Sequence, residues 1–166
     1  MKKLYCGGVF PFDCRDNNYL EQAALDYRAR ILGDVNLLLR KSSGHLPWKN
    51  LIYIGPFYFE APEMVDTDIV RTEIEMVQNC THAIFLLDDG TCPGTIAELT
   101  FASLLSKQIA VFYLRRPDSE ETESPLHSPC WYPIRFAQIQ NPNTLVFSCQ
   151  DREEATRKII EYLETL

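Results

Sequence analysis

The run His82-Ala83-Ile84-Phe85-Leu86-Leu87 is apolar at nearly every position and does not alternate with polar residues. A short run of this kind reads as a strand covered on both faces, the condition of a central strand in a parallel sheet. It ends abruptly in Asp88-Asp89-Gly90-Thr91-Cys92-Pro93-Gly94, and helical periodicity begins at about Thr95. That layout sets Asp88, Asp89 and Glu98 around the carboxyl end of a strand and the first turn of the next helix. In open α/β sheets, ligands bind at this place. A carboxylate near helix N–H groups stays ionised, as a nucleophile must. The plainer alternative is that Glu98 complements the helix dipole and Asp89 starts a turn.

The same alternation runs through the chain. Lys3 to Val9 reads as a first strand, interrupted by Gly7-Gly8. Asn17 or Asn18 can cap a helix with Leu20, Ala24, Tyr27 and Ile31 on one face. Leu51 to Ile54 is a short second strand, and Asp66 to Asn79 a helix with Val70, Ile74 and Val77 inward. The helix from Thr95 to Ser106 leads into a fourth strand, Gln108 to Leu114. From Arg115 to Asn143 the pattern is lost and the stretch is a candidate lid; within it the charged, proline-punctuated run from Arg116 to Pro125 reads as a surface loop. Thr144 to Cys149 is the last strand. Asp151-Arg152-Glu153-Glu154 then opens a final helix as a capping box, with Ala155, Ile159, Ile160 and Leu163 inward. Strands separated by helices imply an α/β, three-layer sandwich of flavodoxin-like or Rossmann-like type. The expected sheet is five-stranded and mostly parallel, in order 2-1-3-4-5, within a single domain over residues 1–166.

Bulk properties narrow the function. At 166 residues the chain can bury a core without disulfides or metal. A net charge of −7 argues against a nucleic-acid backbone or an anionic membrane as partner. No apolar run approaches the ~20 residues that span a bilayer. Gly7, Gly8, Pro11 and Asp13 break up any signal-peptide core after Met1-Lys2-Lys3, so a cytoplasmic location is expected. The six cysteines form no Cys-x-x-Cys pair. Cys80, His82 and Cys92 lack a fourth ligand, so no metal site is implied and buried reduced thiols are expected.

In a parallel sheet the carboxyl ends of the strands form one site. The first strand brings Tyr5, Gly7 and Gly8, with Phe10 following, and the paired glycines allow close approach of a ligand. The second brings Gly55 and the aromatic cluster Phe57-Tyr58-Phe59, able to stack on a planar ring or to pack beneath the loop. The third brings Asp88, Asp89, Gly94, Thr95 and Glu98. Aromatic walls, backbone donors and several acids suit a nucleoside.

These segments resemble a known family. Leu4-Tyr5-Cys6-Gly7-Gly8, the helix end at Cys80-Thr81-His82-Ala83, and Leu87-Asp88-Asp89-Gly90 with Gly94-Thr95-Ile96-Ala97-Glu98 are similar to nucleoside 2-deoxyribosyltransferases, over roughly residues 1–114. The resemblance implies that Glu98 is the nucleophile attacking the anomeric carbon and that Tyr5 orients it by a hydrogen bond. It places an acid that contacts the base on the helix before the third strand, where Glu73 falls by spacing, with Asp68 as a substitute. It also implies at least a homodimer with shared sites. The substrates would be a nucleoside or deoxynucleotide and a free nucleobase, with no cofactor.

Cleaving an N-glycosidic bond develops oxocarbenium character, which a carboxylate stabilises and then traps. A second acid must protonate or hydrogen-bond the departing base. Many relatives carry Asp-Ser-Gly-Thr where this chain has Cys92-Pro93-Gly94-Thr95, so that acid falls to Asp88 or Asp89. Asn141 and Asn143 are the available asparagines for the residue that a neighbouring subunit often supplies. Related deoxynucleotide N-hydrolases hold a 5′-phosphate with a Ser/Arg/Gly-rich first loop, whereas Gly7-Gly8-Val9-Phe10-Pro11 lacks an early Ser or Arg. The phosphoribohydrolases that activate cytokinins share the echo Pro93-Gly94-Thr95-Ile96-Ala97-Glu98. A non-catalytic nucleotide sensor on the same fold and a Cys92 nucleophile are the remaining alternatives.

Overall fold

The structure, a computed structural model, describes residues 2–8, 51–55, 66–88, 91, 93–115 and 130–166. Its elements are β1 (Lys2–Gly7), β2 (Leu51–Gly55), α1 (Asp66–Asn79), β3 (His82–Leu87), α2 (Pro93–Leu104), β4 (Gln108–Leu114), α3 (Trp131–Gln140), β5 (Leu145–Cys149) and α4 (Arg152–Glu164). The strands pair in parallel in the order β2-β1-β3-β4-β5. This is the α/β class with a parallel sheet that strand–helix alternation implies. From β1 the chain winds one way to β2, and from β3 the other way to β5. The reversal makes a crevice at the carboxyl ends of β1 and β3.

Side-chain parity builds two cores. Tyr5, Ala83, Phe85, Leu87, Val111 and Tyr113 point to one face and are covered by Val77 of α1, Leu99 and Ala102 of α2, and Ile134 and Ala137 of α3. Leu4, Ile84, Leu86, Ala110 and Phe112 point to the other, against Ala155, Ile159, Tyr162 and Leu163 of α4. There Phe112 and Phe147 stack at 4.7 Å and Tyr162 meets them at 6.1–6.2 Å. Burial on both faces is why β3 and β4 read as unbroken apolar runs.

Local chemistry sets several boundaries. Pro93 begins α2, where its missing N–H costs nothing. The helix ends with Ser106 at φ 53°, its N–H donating to Ser103 and that of Lys107 to Ala102, a Schellman arrangement. At α4 the Asp151 carboxylate accepts from the Glu154 N–H at 2.8 Å. Glu154 reaches back to the Gln150 N–H at 2.6 Å, one residue earlier than a standard capping box.

Three expectations are corrected. Val70 and Ile74 are 54% and 41% exposed. Among the described side chains of α1 the buried or half-buried ones are Thr72, Glu73, Met76 and Val77, and Ile74 lies round the helix from them. Second, the stretch expected to be irregular contains α3. Pro133 looks like a breaker but falls in the helix's first turn, where an N–H has no intrahelical acceptor in any case. Third, α2 starts two residues before Thr95, which moves Glu98 from the first turn to the second. The expected helix through Leu20, Ala24, Tyr27 and Ile31, the aromatic segment with Phe57, and the Arg116–Pro125 loop lie outside the described residues.

Candidate functional site

At the β1/β3 crevice, Tyr5 and Gly7 share the face of the sheet that carries α2. Tyr5 is fully buried, its ring 6.2 Å from that of Phe85 and inclined at 49°. A methyl group at Gly7 would lie 2.5 Å and 2.6 Å from the Phe85 ring and 3.1 Å from Glu98 Oε2. Glycine is required here because an aromatic ring and a carboxylate both close on the backbone. The sequence reading assigned that space to a ligand; Phe85 and Glu98 take it on this side.

The helix bearing Glu98 is fastened to the same strand end. Thr95 is buried, and its hydroxyl donates to the Gly8 carbonyl at 2.9 Å. Gly94, one residue before it, is exposed. This bond spans 87 residues of sequence and fixes the first turn of α2 against β1. Glu98 follows in the second turn, half-buried. The dipole effect fades beyond the first turn, so it does not account for the presence of Glu98. Polar groups further along α2 are absorbed locally: Thr100 bonds to the Ile96 carbonyl and Ser103 to that of Leu99.

Asp88 goes elsewhere. It continues the parity of Ile84 and Leu86, and its carboxylate meets the Arg152 guanidinium of α4 at 3.2 Å. Its backbone is held in a turn: the Asp88 N–H donates to Thr91 Oγ1 at 2.8 Å, and the Asp88 carbonyl accepts from the Thr91 hydroxyl at 2.7 Å and its N–H at 3.1 Å. The Cys130 thiol also approaches that carbonyl, at 3.8 Å. Asp88 therefore serves the turn, and its carboxylate meets α4.

The structure thus brings together Tyr5, Gly7, Gly8, Thr95 and Glu98. Glu73 is half-buried on α1. Phe10, Phe57, Asp89 and Cys92 lie outside the described residues. Asn141 is buried and occupied, donating to the Lys107 carbonyl at 2.6 Å and accepting from the Asn143 N–H at 3.2 Å. It is not free to enter a neighbouring site.

Sequence reasoning missed Thr91, Cys130 and Arg152. Only Arg152 had a visible signal, a cation at the first position of a helix whose next two residues are acidic. Burial pushes the Cys80 and Cys149 thiols up to about 11, against nearby lysines, so neither is a reactive thiolate. The described cysteines Cys6, Cys80, Cys130 and Cys149 form no disulfide with one another. Among the described residues, no helix is long and apolar enough to cross a membrane.

No protein-family model matches the chain, and no curated protein matches it. Among solved structures it is similar to the CMP N-glycosidase BcmB of Clostridium botulinum, with a TM-score of 0.57 and 16% identity over 97% of this chain and 99% of that one. A 2-desoxiribosyltransferase from Leishmania mexicana has a TM-score of 0.52 and 20% identity over 98% and 99% of the two chains. A conserved protein from Enterococcus faecalis V583 has a TM-score of 0.52 and 16% identity over the same shares. At these identities the likeness is one of fold.

Proposed function

We propose that this chain cleaves the N-glycosidic bond of a nucleoside or nucleotide and passes the sugar to a second base or to water, as an enzyme of the nucleoside 2-deoxyribosyltransferase type. The observation that carries this reading is the Glu98 carboxylate seated against Gly7 at the crevice of a parallel sheet. A helix-dipole role does not explain an acid in the second turn of α2. Two fold neighbours whose names describe an N-glycosidase and a deoxyribosyltransferase support the reaction class.

In this reading Glu98 attacks the anomeric carbon while the electron pair of the C–N bond leaves with the base. Tyr5, on the face of the sheet that carries α2, orients the carboxylate. Asp89 protonates the departing base. Asp88 is less well placed for that step, because its carboxylate is turned to Arg152. The glycosyl ester on Glu98 is then attacked by a ring nitrogen of a second base or by a water molecule. The attacking group returns a proton to Asp89, and Glu98 leaves as a carboxylate. Gly8, Gly94 and Thr95 border the sugar, and Phe10, Phe57 and Glu73 contact the base. The working form is a homodimer or larger homo-oligomer in the cytoplasm, and no cofactor takes part.

The test is chromatography of deoxyadenosine, thymidine and CMP, each with and without a second free base. Wild type should release or exchange the base, and Glu98→Ala should lose at least about a thousandfold in turnover. Exchanged nucleoside means transfer, and free base alone means hydrolysis. Binding without turnover in wild type would overturn the enzyme reading in favour of a sensor.

A further inference from the structure

Arg152 stands at the first position of α4, the positive end of the helix, where a cation opposes the macrodipole and the following Glu153 and Glu154 suit it. Helix stability therefore does not account for it. Its side chain runs to a carboxylate 64 residues earlier, Asp88, which is only 8% exposed and meets Arg152 Nη2 at 3.2 Å. A carboxylate buried to that degree is costly without a charged or hydrogen-bonding partner. Local rules are broken where a residue answers to something beyond its own element.

Asp88 is also the residue from which the site turn departs. Its N–H and carbonyl are both engaged by Thr91, two residues before Pro93 opens α2. The Thr95 hydroxyl then fastens α2 to Gly8, and Glu98 follows one turn later. Two described contacts thus flank the start of α2: Arg152 of α4 on Asp88, and Thr95 on Gly8.

We infer that Arg152 is a positioning residue: by holding the Asp88 carboxylate on the α4 face of the sheet, it keeps the Asp88–Thr91 turn closed and sets the approach of α2, and so of Glu98, to the crevice. This rests on the proposed reaction for its kinetic readout. It also turns Asp88 from a substrate ligand into part of the scaffold. Removing Arg152 leaves a mostly buried carboxylate without that partner, its side chain swings toward water, and the turn loosens with it. The loss falls on alignment of the nucleophile, which enters kcat, and leaves ground-state binding little changed.

The test is a double-mutant cycle with Arg152→Gln and Asp88→Asn, with Arg152→Lys as the conservative variant. Each of the first two should lower kcat about tenfold with KM moved less than about twofold. The double variant should be no slower than either single, and Arg152→Lys should recover part of the loss. The same cycle read by denaturant midpoint should be non-additive. Multiplying kcat effects, an unchanged kcat in Arg152→Gln, or a rise confined to KM in Asp88→Asn would overturn the inference; the last would make Asp88 a substrate ligand. A wild type that turns over no nucleoside would defeat the proposed reaction instead. The coupling would then be judged by the denaturant cycle, where additive effects would overturn it.

Discussion

At the amino edge of the sheet, Lys107 donates to the carbonyls of Gln78 and Cys80 at the end of α1, at 2.5 Å and 2.8 Å. Asn141 donates to the Lys107 carbonyl, Thr81 exchanges hydrogen bonds with the backbone of Lys3, and Lys2 reaches the Leu166 carbonyl. At the carboxyl edge the chemistry is of the other sign. Acids and hydroxyls gather there: Asp88 with Thr91 and Arg152, Thr95 on Gly8, and Glu98 over Gly7. In a parallel α/β sheet the helices run opposite to the strands. Helix C-termini, with their unpaired carbonyls, therefore collect at the amino edge, and helix N-termini at the other. The amino edge uses its cations and amides to close the fold. The carboxyl edge is where an acid can be held facing a crevice.

That contrast can be broken most sharply at Gly7. Gly7→Ala drives a methyl into a buried ring and toward Glu98, so it should cost about 1–3 kcal/mol of stability by denaturant unfolding. It should also lower turnover at least about tenfold, because Glu98 is displaced with Phe85. A stable, fully active Gly7→Ala chain would show that the close approach has no bearing on the site.

The amino edge should respond in stability alone. Lys107→Met removes two donors from helix-end carbonyls and should cost about 1 kcal/mol, read from the denaturant midpoint. Turnover of that variant should match wild type. A selective loss of kcat would mean that the two edges are coupled, contrary to the division drawn here.

The smallest effect expected is one of pH. Burial, followed by the nearby Lys2, holds the His82 imidazole below its ordinary value of 6.5. The unfolded chain then binds the proton more readily than the folded one, so stability rises with pH across that window. The contribution of neutral His82 is full above about 6.5 and is lost as pH falls from there through the folded value. Unfolding midpoints measured from pH 7.5 down to 5 should fall less steeply in His82→Gln. An unchanged slope would assign the pH response to other groups.

How much was legible varies with how far each feature depends on distant residues. The bounds of β3 and β4 coincide with the apolar runs, because burial on both faces leaves no polar position to blur the pattern. The cap of α4 was legible because it is made within four residues of sequence. Helix α3 was not, since only Ile134 and Ala137 are buried while Trp131, Tyr132 and Ile139 are exposed, which leaves no stripe to detect. That Gly7 and Glu98 lie at one sheet edge followed from strand order. The direction of Asp88 did not.

The sequence by itself determined the elements whose signals are local: two-sided apolar strands, turn residues between them, and an acid cap followed by an apolar stripe. From their alternation the parallel sheet and its carboxyl edge followed. Only the tertiary structure decided which acid faces which side of that edge. Parity and Arg152 turn Asp88 to α4, while Thr95 on Gly8 and the glycine at position 7 bring Glu98 against β1. These contacts join residues 64 and 87 positions apart, and no pattern along the chain encodes them, because each exists only once the sheet has brought its strand ends together.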